Sequence, residues 1–134
     1  MVEAMFQGKS LSFWLELLKD HDTNRQREAA AVLACMGLPA IHPLVKMFKD
    51  GHHSDRCWAI RVLGRMGPQA RIAVPIVLMA LRDADEDVRG EAAEALERID
   101  PKAAAQERSR WFRMRRWFKR TFLPAAKRKA DAAR

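Results

Sequence analysis

The feature that most limits how this chain can fold is a motif that occurs three times at nearly constant spacing. The segments LSFWLELLKD, IHPLVKMFKD and VPIVLMALRD begin at Leu11, Ile41 and Val74, and each ends on a basic residue and Asp. Each is followed at the same offset by a second segment, REAAAVLACMG, CWAIRVLGRMG or GEAAEALERID. Apolar residues recur in them at i, i+3 or i+4 and i+7, the spacing of one helix face. The sequence therefore predicts three helix pairs.

The pairs are expected at 10–20 with 24–36, at 40–50 with 54–66, and at 71–83 with 86–99. Thr23 with Gln26 is typical of a capping box, Ser54 of an N-cap, and Gly37 and Gly67 of helix C-termini. A unit of two helices cannot bury its apolar stripe alone, so such units stack into a solenoid. Trp14, which aligns with Leu44 and Val77, is expected in the core.

We therefore predict an all-α fold, a short right-handed α-solenoid of three helix pairs with a C-terminal capping helix. The predicted parts are an N-terminal lead-in (1–9), the repeats 10–37, 40–67 and 70–100 within 10–101, a basic amphipathic helix (102–123) and a loose basic tail (124–134).

The third repeat, ALRDADEDVRGEAAEALERID, carries a resemblance to a known family. A helix ending in L-x-D, a short acidic turn and the pattern V-R-x-x-A-A-x-A-L-x-x-I resemble HEAT-like repeats of the phycobilisome-lyase type, over residues 11 to about 104. The resemblance implies that Asp20, Asp50 and Asp83 pair with Arg56 and Arg89 between neighbouring repeats, with Gln26 replacing the arginine in repeat one. It also implies a scaffold or a lyase-like accessory role, since HEAT-like proteins include both.

Positive charge is concentrated behind the repeats. The net charge is −2 through Pro101 and +10 from Lys102 onward. In RSRWFRMRRWFKRTF, one helix side carries the apolar residues Trp111, Met114, Trp117, Phe118 and Phe122, and the other carries Arg113, Arg116, Lys119 and Arg120. We expect the buried rings to cap the last repeat, while an anionic membrane surface or a nucleic acid remain alternative partners for 108–129.

The sequence carries no signature of catalysis. A Gly-rich phosphate loop, a G-x-S-x-G elbow and an H-E-x-x-H pair are all missing. His21, His52 and His53 fall in turns, and we expect no metal, cofactor or small-molecule substrate. Without a secretory signal or ~18 consecutive apolar residues, the chain is expected to be cytoplasmic, with Cys35 and Cys57 as buried free thiols.

One residue of the second segments departs from the repeat. Trp58 aligns with Glu28 and Glu91, which places its ring on the solvent side of its helix. Arg61 and Arg65 flank it on what we expect to be a shallow concave face of second helices, and Trp and Arg dominate interface energetics. We therefore predict a non-enzymatic protein-binding or scaffold module for an acidic protein partner. Its predicted site comprises Trp58, Arg61, Arg65, Arg113, Arg116, Lys119 and Arg120.

Overall fold

The computed structural model describes residues 5–122, apart from the side chains at positions 118, 119, 121 and 122. The chain divides into two compact units, Met1–Pro101 and Lys102–Arg134, and each is described here by itself. The predicted loose tail at 124–134 lies outside the described residues.

The described part of the first unit is built from three helix pairs. The helices are α1 (Leu11–Leu18), α2 (Thr23–Met36), α3 (Leu38–Asp50), α4 (His53–Met66), α5 (Val74–Ala80) and α6 (Glu86–Ile99), with a 3-10 helix at Gly67–Ala73 before α5. In each pair the first helix packs on the second, and α4 also packs against both α2 and α6. The second helices thus form a continuous layer, and the predicted all-α solenoid is confirmed.

The core is made of the residues that align between repeats. Each second helix buries an Ala and a Leu at the aligned positions Ala29, Ala59 and Ala92 and Leu33, Leu63 and Leu96. Burying each Leu stabilises the fold by about 1.5 to 3 kcal/mol. Trp14 is buried as predicted, and its indole N–H donates to the Phe6 carbonyl oxygen at 3.3 Å.

Gly64 allows α4 and α6 to approach closely. A Cβ added at this residue would lie 2.9 Å from the Ala95 Cβ and 3.0 Å from the Ala95 Cα. Ordinary contacts between carbon atoms are about 3.5 to 4.0 Å. The close packing of repeats two and three therefore requires a residue without a Cβ at position 64.

The predicted C-terminal ends of the helices are confirmed at the glycines, whereas the predicted N-caps differ from the observed ones. Gly37 and Gly67 have φ of 70° and 66°, as expected of C-caps. The predicted capping box of Thr23 and Gln26 is wrong: Asp22 caps α2, because its carboxylate accepts the Asn24 N–H at 2.9 Å. The Gln26 amide instead donates to the Leu18 carbonyl oxygen at 3.1 Å.

Helix α4 begins one residue earlier than predicted. His52, not Ser54, is its N-cap, and the His52 N–H donates to the Asp55 carboxylate at 3.4 Å. The Asp55 carboxylate thus accepts the backbone N–H of the residue that caps the helix.

The first helix of repeat three is shorter than the predicted 71–83. A 3-10 helix occupies Gly67–Ala73, and α5 spans only Val74–Ala80. Pro75 lies in the first turn of α5, where its missing N–H costs no helical hydrogen bond. The proline therefore suits a helix that begins at Val74 and would interrupt one that began at Arg71.

The lead-in contains a small hairpin that the sequence did not predict. Strands β1 (Met5–Phe6) and β2 (Lys9–Ser10) pair antiparallel. Gln7 and Gly8 have φ of 53° and 75°, which is the backbone of the two-residue turns that match strand twist.

The predicted Asp–Arg ladder between repeats is present at one step. The Arg56 guanidinium donates to both Asp83 carboxylate oxygens, from Nε at 3.0 Å and from Nη2 at 3.2 Å. Arg89 instead donates to the carbonyl oxygens of Asp83 and Ala84. Burial disfavours the Asp83 carboxylate, but hydrogen bonds from the Asp85 N–H and Arg56 outweigh it and lower the pKa of Asp83. In repeat one, Asp20 pairs with Arg25 at 3.7 Å instead.

The expectation that both cysteines are buried is wrong for Cys35. Cys35 is exposed and Cys57 is half-buried, and both are free thiols. Cys35 lies on the outer side of α2, between the buried positions Leu33 and Gly37. A position within a helix was not enough to predict that a cysteine is buried, because about half of a surface helix faces water.

The described part of the second unit is one long helix, α7 (Pro101–Phe122), whose first residue still belongs to the first unit. Its bounds are close to the predicted 102–123. Trp111 and Trp117, whose rings were expected to be buried, are 59% and 58% exposed. Met114, between them on the same side, is exposed as well. The prediction that these rings are buried is therefore wrong. None of the described helices combines the length and apolarity needed to cross a bilayer.

Candidate partner-binding groove

Trp58 was expected on the solvent side of α4, and that expectation is wrong. Only 8% of the residue is exposed. The Arg61 guanidinium carbon lies 4.6 Å from the centre of the Trp58 ring. The alignment missed this burial because the residue that covers the ring lies one turn further along the same helix.

Arg61 is held in place by a residue of the next repeat. Its Nε donates to Glu91 Oε1 on α6 at 3.1 Å, and its Nη2 pairs with the same oxygen. The Glu91 hydrogen bond raises the pKa of Arg61, although partial burial works against it. Stacking on Trp58 adds about 0.5 to 1 kcal/mol. Arg61 is thus a structural bridge from repeat two to repeat three.

A shallow, solvent-open groove crosses the second helices beside this bridge, and we call it the basic groove. It encloses about 440 Å³. Its lining comes from all three second helices: Arg27, Trp58, Arg61, Gly64, Arg65, Glu91, Glu94, Ala95 and Arg98. Small-molecule sites of this volume are mostly apolar and enclosed, whereas this lining is mainly charged.

Three arginines in the basic groove have no carboxylate partner among the described side chains. They are Arg27 from α2, Arg65 from α4 and Arg98 from α6. Arg61 is neutralised by Glu91, which leaves Glu94 as the remaining acid of the lining. The basic groove therefore carries an excess of positive charge that the fold itself does not satisfy.

Sequence reasoning found Arg65 and missed Arg27 and Arg98. A signal for Arg98 was present, because Arg65 and Arg98 are 33 residues apart and occupy the same place in successive repeats. Arg27 aligns with Cys57 and Gly90, so no repeat pattern marked it. Only the packing of α2 against α4 brings it to the basic groove.

A second hollow lies on the other side of Arg61 and is acidic. Glu86, Asp87, Glu91 and Glu94 line it together with Cys57. Burial raises the pKa of Cys57 to about 11, and Asp85, Glu91 and Asp87 add to the effect. At neutral pH this thiol is protonated, whereas nucleophilic chemistry needs the thiolate.

The other predicted site residues belong to the second unit. Arg113, Arg116 and Arg120 are exposed on α7, and the Lys119 side chain lies outside the described residues. Within residues 5–122, the His, Cys, Asp and Glu side chains form no group of three or more suited to a metal ion.

Comparison with known families agrees with this architecture. The family model for HEAT repeats matches residues 41–107, which is half of the chain. HEAT repeats generally mediate protein–protein interactions. A search of curated proteins finds no match. The finer likeness to the phycobilisome-lyase type stays a prediction, but the extent of the match, together with three stacked helix pairs, shows that the chain belongs to the HEAT-repeat family.

Proposed function

We propose that this protein is a non-enzymatic binding module whose basic groove takes an acidic segment of a partner protein. The observation that carries the proposal is that Arg27, Arg65 and Arg98 line one groove without carboxylate partners among the described side chains. They come from the second helices of three successive repeats. Hydrogen bonds between guanidinium and carboxylate groups are among the stronger ones in proteins. Complementary charge of this kind speeds association and selects partners.

The shape of the basic groove fits a protein segment better than a small ligand. It is open along the layer of second helices, and the Arg61–Glu91 pair lies over the Trp58 ring along it. Two free thiols, one of them exposed, fit a reducing compartment such as the cytoplasm.

Binding of synthetic acidic peptides to the full chain tests the proposal. Fluorescence anisotropy would compare a Glu-rich peptide with its Gln-substituted counterpart. We expect Arg65→Glu with Arg98→Glu to weaken binding of the acidic peptide about tenfold or more, a loss of about 1.4 kcal/mol. The matched control is Arg71→Glu with Arg82→Glu, which makes the same charge change at exposed positions outside the basic groove. Equal losses in the two variants would show a general charge effect and contradict the proposal.

A second substitution tests the role assigned to Arg61. Glu91→Gln removes the carboxylate that neutralises Arg61, so a partner carboxylate gains a fourth arginine. We expect a several-fold gain in affinity for the acidic peptide. Glu86→Gln, on the same helix and outside the basic groove, makes the same charge change and should alter affinity less. A gain that is equal in both variants would contradict a specific role for Arg61.

A further inference from the structure

The second unit carries a surface that groove binding does not use. On α7, Trp111, Met114 and Trp117 recur every third residue, so they share one side of the helix over about 9 Å. All three are more than half exposed. Two exposed Trp side chains this close together are unusual on a surface that contacts only water.

The opposite side of α7 is strongly basic. Arg116 and Arg120 lie there, whereas Arg110 and Arg113, which come four residues before Met114 and Trp117, border the aromatic side. The one acidic residue in the sequence of Pro101–Phe122 is Glu107, which pairs with Arg110 at 3.3 Å. Phe112 lies on the basic side, because it is four residues before Arg116. The helix therefore has an aromatic side and a cationic side.

We propose that α7 binds an anionic membrane surface, lying in the interface with Trp111, Met114 and Trp117 toward the acyl chains. Trp favours this depth because its ring is apolar and its N–H reaches the headgroups. The arginines meet the negative potential of the lipid headgroups, and their long side chains bend toward the interface. Together these features match those of interfacial amphipathic helices.

The same observations fit a nucleic acid less well. Proteins that bind single-stranded nucleic acids place aromatic rings inside a positively charged channel that follows the phosphates, so that one strand contacts both the rings and the cations. On α7, Arg116 and Arg120 face away from the two Trp rings, so a single strand lying on the rings would not also reach these arginines. A planar interface places the rings in the apolar layer and leaves the cations at its edge.

Tryptophan fluorescence can test this proposal directly, because the four tryptophans differ in exposure. Trp14 and Trp58 are buried, whereas Trp111 and Trp117 are exposed. A change in fluorescence on adding vesicles, or quenching by brominated lipid, therefore reports on α7. We expect a blue shift with phosphatidylcholine vesicles that contain phosphatidylserine, and little with phosphatidylcholine alone.

Variants of the full chain separate ring insertion from simple charge attraction. Trp111→Ser with Trp117→Ser should abolish flotation with anionic vesicles. Phe112→Ser removes a ring that is 71% exposed on the basic side, and it should leave flotation unchanged. Arg113→Gln with Arg116→Gln should weaken partitioning about 25-fold, roughly fivefold for each charge. Arg71→Gln with Arg82→Gln is the charge-matched control in the first unit.

Four outcomes would overturn the proposal. They are vesicle binding that does not depend on Trp111 and Trp117, no vesicle binding at all, binding to an oligonucleotide without binding to vesicles, and self-association through α7 that leaves vesicles unbound. Flotation that depends on phosphatidylserine and on both Trp residues, and is retained in Phe112→Ser, supports it.

Discussion

Gly64 offers the sharpest test of how neighbouring repeats hold together. Replacing glycine by alanine inside a helix stabilises it by about 0.5 to 1 kcal/mol when the methyl group has room. At Gly90, on α6, an added Cβ meets no atom within 4 Å. Gly90→Ala should therefore stabilise the protein by that amount, which makes it the control for the same change at Gly64.

The outcome at Gly64 should be the reverse. The new Cβ would lie 2.9 Å from the Ala95 Cβ and 3.0 Å from its Cα. Because one of these atoms belongs to the backbone, α4 and α6 must separate by about 0.5 to 1 Å to restore ordinary contact. Overpacking of this kind costs about 1 to 3 kcal/mol. The cost exceeds or cancels the helix-propensity gain, so Gly64→Ala should be less stable than Gly90→Ala by about 1 to 3 kcal/mol.

Thermal unfolding followed by far-UV circular dichroism measures this difference. For a chain of this size, each kcal/mol shifts Tm by about 4 °C, so the two variants should differ by about 4 to 12 °C. Ala95→Gly in the Gly64→Ala background removes one of the two close contacts, and a double-mutant cycle should show a favourable coupling of about 0.5 to 1 kcal/mol. A Tm for Gly64→Ala equal to or above that of Gly90→Ala would refute the reasoning.

Three further predictions concern Asp83, Cys57 and Gly67. Asp83→Asn should cost about 1 to 2 kcal/mol at neutral pH, measured by urea unfolding, because it breaks the two-pronged pair with Arg56. Since the folded pKa of Asp83 is lowered, its contribution is complete above the unfolded value near 3.9 and is lost as pH falls through the folded value. The stability gap between the two proteins should therefore narrow as pH falls below the unfolded value, and a gap that stays constant would contradict this. In a Cys35→Ser background, alkylation of Cys57 should still accelerate about tenfold per pH unit between pH 8 and 10, because its pKa is about 11; a plateau below pH 9 would show that the thiolate is not disfavoured. Gly67→Ala should lower the free energy of unfolding by about 1 to 3 kcal/mol, because φ is +66° at this residue and side chains other than glycine are strained there. The added Cβ has room, since the nearest atom is an oxygen at 3.9 Å. An unchanged Tm would show that this backbone relaxes freely.

Much of the fold follows from periodicity alone. The three helix pairs, the aligned core positions and the left-handed glycines at Gly37 and Gly67 were all readable from the sequence. Each of these features is specified by residues a few positions away on the same helix or by the corresponding positions of the other repeats, so a pattern along the chain is enough to predict it. The helix starts at Asp22 and His52, and the hairpin at Gln7 and Gly8, were missed because several capping and turn residues of similar strength compete within two or three positions.

The sequence by itself determined the core positions that align between repeats and that the chain stacks as HEAT repeats, because a 3.6-residue period and a spacing of about 30 residues specify both. Only the tertiary structure decided which side chains meet between neighbouring helices. Trp58 is covered because Arg61 reaches Glu91 on the next repeat, and Arg27 meets the basic groove because α2 packs on α4. Such contacts join residues about 30 positions apart, and their geometry is set by how closely two helices approach, as at Gly64, which no pattern along a single helix records.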